Sequence, residues 1–112
     1  MRHSLRAIPA PKGSASLFAA LGDETRLRLV ARLCDGGMSI TSLTAGSAIT
    51  RQAITKHLRV LEDARLVHST RRGREKIWQL DRRRLDDARH YLDLISHQWD
   101  NALGRLRAFV EK

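Results

Sequence analysis

The feature that most constrains this chain is a stripe of apolar residues near its C-terminal end. Leu85, Ala88, Leu92, Ile95, Trp99, Ala102, Leu106 and Phe109 recur at alternating spacings of three and four. All eight positions are apolar, the mark of a helix with one narrow seam to bury. Asp81 suits an N-cap, so the spacing predicts a helix over 82–110. At 1.5 Å per residue its length is about 43 Å, whereas a 100-residue domain has a radius of gyration of only about 13 Å. The core of one such chain cannot cover the seam, and a second copy is the simplest cover.

Length sets the rest of the frame. With 112 residues, 42% hydrophobic and 29% charged, the chain reads as one globular domain over 15–112. Residues 1–14, with Pro9, Pro11 and Gly13 and no acid, read as a flexible basic arm. The arm has some features of a transit peptide, but a plain arm is the favoured reading. One cysteine, Cys34, excludes an intrachain disulfide framework and any multi-cysteine zinc site. The longest apolar run, Leu17 to Leu21, is far short of the ~20 residues a bilayer span needs. A cytoplasmic protein with no membrane partner is expected.

Between arm and seam the pattern is helical, then briefly alternating. A short apolar helix over 14–21 stops at Gly22, and Asp23 can cap the next. There Leu27, Val30, Ala31 and Cys34 form a stripe widened by Leu29 and Leu33, with Cys34 read as a small buried hydrophobe. Gly36-Gly37 end it. Ser39 can cap a helix through Ala45 that packs by Ile40 and Leu43, and Gly46 turns the chain. Thr50 can cap a helix over 50–64 with Ile54, Leu58 and Leu61 facing inward. After it the period falls to two. Leu66, His68 and Thr70 fall on one face of a strand, Arg72-Gly73-Arg74 makes a turn, and Glu75 to Leu80 returns. The fold class is mainly α with a small β-hairpin.

Charge is concentrated in this middle. The chain holds 21 Lys and Arg against 12 Asp and Glu, a net of +9. Residues 50–84 alone hold eleven basic and four acidic side chains, a net of +7. A polyanionic partner is implied. A short helix, a tight turn, a helix with a cationic face and a basic-tipped hairpin follow the order of a winged helix-turn-helix. Arg51 and Gln52, at the start of the second helix, suit guanine and adenine edges in the major groove. Thr50, Thr55, Lys56 and Arg59 suit phosphates, and Arg71, Arg72 and Arg74 at the hairpin tip suit the backbone or minor groove. Double-stranded DNA is the expected partner. No Ser-His-Asp set, Gly-rich phosphate loop or acid/base carboxylate pair points to an enzyme, and no cofactor is called for.

Three segments carry a family resemblance: LFAALGDETRLRLVARL (17–33), ITRQAITKHLRVLEDARLV (49–67) and STRRGREKIWQL (69–80). They resemble the ArsR family of bacterial winged-helix transcriptional regulators. The resemblance implies a homodimeric repressor on a palindromic operator, with the helix from Thr50 as recognition element and 67–80 as wing. It also implies a dimer interface built from the first and last helices, here Leu17 and Phe18 with Leu92, Ile95, Trp99, Leu106 and Phe109. Family members with a Cys-x-Cys metal site carry it where Ser39 and Thr41 stand, so that site is absent. His90, Asp93, His97 and Asp100 could supply zinc ligands on the last helix, but the family's spacing there is not met and no metal is expected. The family commonly has glycine where Arg65 stands, which bears on how the preceding helix ends. A metal-responsive repressor using the four last-helix residues, or a basic protein- or RNA-interaction module, are the alternatives. The effector is not legible.

Overall fold

The computed structural model describes residues 13–111. The arm expected over 1–14 therefore lies almost wholly outside the described residues. Helices α1 (Ser14–Leu21) and α2 (Glu24–Leu33) come first. Then follow strand β1 (Met38–Ser39), helices α3 (Ile40–Thr44) and α4 (Arg51–Asp63), strands β2 (Val67–Arg72) and β3 (Glu75–Leu80), and helix α5 (Arg82–Val110). This is a winged helix-turn-helix with a long C-terminal helix.

Polar side chains start four of the five helices. Asp23 accepts from the Arg26 N–H, Ser39 from that of Ser42 and Thr50 from that of Ala53; Asp81 accepts from those of Arg83 and Arg84. Each satisfies an amide that the first turn leaves without an intrahelical partner. The end of α4 is unusual. Arg65 has φ +64°, the one non-glycine residue among those described with a positive φ. Leu66 N–H donates to the Leu61 carbonyl and Arg65 N–H to that of Glu62, both at 2.9 Å. That is a Schellman ending, with Arg65 in the left-handed position that glycine usually occupies. Leu66 and Leu61, both fully buried, supply the apolar contact that accompanies such an ending.

The core draws one face from each element. Leu17 and Ala20 of α1, Leu29, Val30 and Leu33 of α2, Leu43 of α3 and Ile54, Leu58 and Leu61 of α4 meet Val67, Trp78 and Ala88. Burying each of the larger aliphatic side chains contributes about 1.5–3 kcal/mol. Two of the expected stripes shift. In α2 the buried face is Leu29, Val30 and Leu33, while Leu27, Ala31 and Cys34 share the adjoining, exposed side. Both sets have helical spacing, and packing against α1 and α4 selects the one with the larger aliphatic surface. Cys34 is thus an exposed C-cap residue, not a buried one. Leu66 belongs to the end of α4 and not to the His68–Thr70 face; in β2 the core-facing set is Val67 and Ser69.

The sheet has three strands in the order β1-β3-β2, all antiparallel. In the hairpin Val67 pairs with Leu80 and Arg72 with Glu75, leaving Gly73 and Arg74 as a two-residue loop. Gly73, at φ +64°, takes the first position of that loop, as this hairpin class requires. Strand β1 is an addition to the expected hairpin: Met38 pairs with Trp78 and Ser39 with Ile77. Just before it, a Cβ at Gly37 would fall 2.8 Å from Ile77 Cγ2, so only glycine allows this approach. Helix α5 gives the molecule its shape. Only its first third rests on the body, through Leu85, Ala88 and Tyr91. The longest dimension is 67 Å and the radius of gyration 18.9 Å.

Candidate nucleic-acid interface

Helix α4 and the hairpin leave a common joint at residues 64–66. With 13 residues, α4 extends about 20 Å from it, and six-residue β2 extends a similar distance to its tip. The cations lie along the outer face of α4, from Arg51 at its free end to Arg59, and at the free end of the hairpin. Arg51, Gln52, Lys56 and Arg59 are exposed on α4, as are Arg71, Arg72 and Arg74 around the loop. No hydrogen bond or ion pair among the described residues engages the side chains of Gln52, Lys56, Arg59, Arg71, Arg72 or Arg74. Arg51 does have a contact: its Nη1 donates to Thr41 Oγ1 of α3 at 3.3 Å. The Thr50 hydroxyl caps its helix, and that of the half-buried Thr55 donates to the Arg51 carbonyl at 2.9 Å.

Of the other cations of the middle segment, Arg84 turns inward and Lys76, although exposed, packs on an aromatic ring. Lys76, two residues after the loop, lies 4.9 Å from the centre of the Trp78 ring, a cation–π contact on the outer half of the hairpin. Arg84 donates through Nε to the Ala64 carbonyl at 3.0 Å. Two arginines of α2 behave in the same way. Arg32 donates to the carbonyls of Leu43 and Ser42 at the end of α3, at 2.9 and 3.2 Å. Arg26 donates to the Ala20 carbonyl at the end of α1 at 2.6 Å. Each guanidinium thus sits on the negative end of a helix and supplies donors to carbonyls that lack intrahelical partners. Sequence reasoning missed these roles, because the partners lie 6 to 20 residues away and follow no local period.

His57 is placed on the inner side of α4. Its Nδ1 lies 3.3 Å from Arg26 Nη1 and 3.8 Å from Asp23 Oδ2. The Arg26 N–H holds the Asp23 carboxyl below the usual carboxylate range, with the charges of Arg26 and His57 acting the same way. This cluster ties α4 to the α1–α2 junction.

Helix α5 displays the second surface. Leu92, Ile95, Trp99, Leu106 and Phe109 are between 41% and 77% exposed. Phe18 is half-buried with its ring centre 6.0 Å from that of Tyr91. Leu17 is corrected here: it is 1% exposed, taken up by the protomer's own core, and leaves nothing for a partner. His90, Asp93, His97 and Asp100 are spread over about 15 Å of one helix. Among the described residues no three His, Cys, Asp or Glu side chains come together as a metal site. No helix among the described residues is long and apolar enough to cross a membrane.

A helix-turn-helix pair followed by a basic-tipped wing defines the class of winged-helix DNA-binding regulators. The family described as a helix-turn-helix domain matches residues 21–70. The HTH-type transcriptional regulator Rv2034 of Mycobacterium tuberculosis is 37% identical over 86 residues, covering 77% of this chain and 78% of that protein. An ArsR-like transcriptional regulator from Rhodococcus sp. RHA1 is 35% identical, with a TM-score of 0.77 over 87% of this chain and 92% of that one. A homodimeric winged helix-turn-helix DNA-binding domain from Mycobacterium bovis has the same fold, with a TM-score of 0.61 at 20% identity over 83% of each chain. The chain belongs to the ArsR family of winged helix-turn-helix transcriptional regulators, which bind DNA and are not enzymes.

Proposed function

We propose that two copies of this chain pair through α5 and act as a cytoplasmic repressor on a twofold-symmetric operator. The observation that carries this reading is the uncovered seam of α5, from Leu92 to Phe109. An apolar surface of this extent marks an interaction site. A closed twofold pair covers it with the same residues of the second copy, Phe18 contributing at its edge. The Mycobacterium bovis domain of the same fold, itself homodimeric, supports the pairing.

In this reading residues 15–112 are one DNA-binding domain and α4 is its recognition helix. Arg51 and Gln52 in the first turn read base edges. Thr50, Thr55, Lys56 and Arg59 hold the register on phosphates, while Arg71, Arg72 and Arg74 reach the backbone or minor groove at the flank. Repression follows when a dimer across both half-sites covers promoter DNA.

Selection from a random duplex pool tests this. The expected product is an inverted repeat with half-site centres about 34–36 Å apart. Arg51→Ala or Gln52→Ala then weakens binding to that site by about 1–3 kcal/mol and has little effect on random duplex. An enriched site without twofold symmetry, or equal losses on both duplexes, contradicts the reading. Transcription from a template carrying the site should fall as protein is added; a rise contradicts repression.

A further inference from the structure

The guanidinium of Arg84 joins three helices at one point. Its Nε donates to the carbonyl of Ala64, the C-cap of α4, at 3.0 Å. Its Nη2 donates to the carbonyl of Gly13, the N-cap of α1, at 2.6 Å. Arg84 itself belongs to the first turn of α5, where Asp81 Oδ1 accepts from its backbone N–H at 3.4 Å. The Asp81 N–H in turn donates to the Leu66 carbonyl at 2.8 Å. The carbonyls on both sides of Arg65 are therefore bonded to the start of α5.

The bonds at Ala64 and Leu66 hold the backbone at the C-terminal end of α4, whereas its other polar contacts to the body, Arg51 to Thr41 and His57 to Arg26, run through side chains. Ile54, Leu58 and Leu61 hold that helix by apolar packing, which resists separation but is not directional. The planar guanidinium fixes direction, since its donors form a rigid fork that serves two carbonyls at once. Helix α4 is about 20 Å long, so a swing of about 10° at its C-terminal end displaces its first turn by about 3.5 Å. That is close to one base-pair step of about 3.4 Å.

We propose that Arg84 is a positioning residue that sets the spacing between the half-sites this protein accepts. It locks the angle between α4 and α5, and in a twofold pair that angle fixes how far apart the two recognition helices stand. The inference rests on the two-copy reading given above.

The test measures binding of the wild type, Arg84→Met and Arg84→Lys to duplexes carrying the selected half-sites. Spacings are the selected one and those changed by one or two base pairs, with a single half-site as reference. The wild type should lose about tenfold or more on a changed spacing, comparable to the loss from one wrong base pair. Arg84→Met should lose less than about threefold, remain dimeric in sedimentation, and bind the single half-site within about twofold of wild type. Arg84→Lys, with a single donor group, should fall between the two, and it takes the place of Arg84→Met if that variant does not fold. A variant that keeps the full spacing preference overturns the role of Arg84, even if its melting temperature drops. Equal losses on every duplex, single half-site included, also overturn it. A wild type that is dimeric but indifferent to spacing, or that does not bind as a dimer at all, fails the two-copy reading and takes this inference with it.

Discussion

Helices α4 and α5 use the same apolar spacing and meet opposite fates. Ile54, Leu58 and Leu61 repeat at four and three and are almost completely buried; Leu92, Ile95 and Trp99 repeat at three and four and stand in the open. The difference lies in what each helix can reach. At 13 residues α4 fits within the body, so α1, α2 and the sheet cover it. At 29 residues α5 runs past the body after Tyr91, and its seam from Leu92 onward stands exposed. Periodicity reports that a face will be buried, and length reports whether one copy of the chain can bury it.

This contrast can be broken by one kind of substitution made in both helices. Leu58→Ala should lower unfolding free energy by about 2–5 kcal/mol at any protein concentration, because it empties a site that neighbours cannot refill. Denaturant titration checks this. Leu92→Ala should have a smaller effect on unfolding, and the effect should depend on protein concentration, since it acts through association. Equal, concentration-independent losses at the two positions would erase the distinction. The smallest effect is expected at the joint between the arms. Arg65→Gly should raise stability by about 0.5–1 kcal/mol, as glycine relieves the left-handed strain but adds freedom to the unfolded chain. A loss of stability by thermal melting would mean that the Arg65 side chain makes a contact outweighing that strain.

Much of the fold was legible because its signals are local. The caps Asp23, Ser39, Thr50 and Asp81 each act within three residues, and all four were readable as such. The loop at Gly73 and the extent of α5 follow from equally short-range patterns. Misread positions are those where two local answers were equally good. The wheel of α2 offers Leu27, Ala31 and Cys34 or Leu29, Val30 and Leu33, and only tertiary packing decides between them. Strand β1 is two residues long, too short for any period, and exists because β3 passes close to Gly37. Leu17 shows the same limit: its place in an apolar helix is clear from sequence, but not which of two partners would bury it.

The candidate site divides along the same line. Which residue types face outward on α4 and at the hairpin tip could be read from helical and strand periodicity. Net charge could not be divided in that way. Arg26, Arg32 and Arg84 count toward the +9 of the chain but are held on helix ends by carbonyls distant in sequence. A basic segment therefore mixes cations that face solvent with cations that hold the framework, and only the folded chain separates them.

The central claim is that the seam of α5 is where two copies meet, and sedimentation equilibrium at micromolar concentration tests it most directly. The wild type should sediment at twice the 12.7 kDa mass of one chain. Trp99→Glu, which places a charge in the middle of the seam, should sediment as a single chain with its helical circular dichroism retained. A wild type at 12.7 kDa, or a Trp99→Glu variant as dimeric as the wild type, would contradict the account.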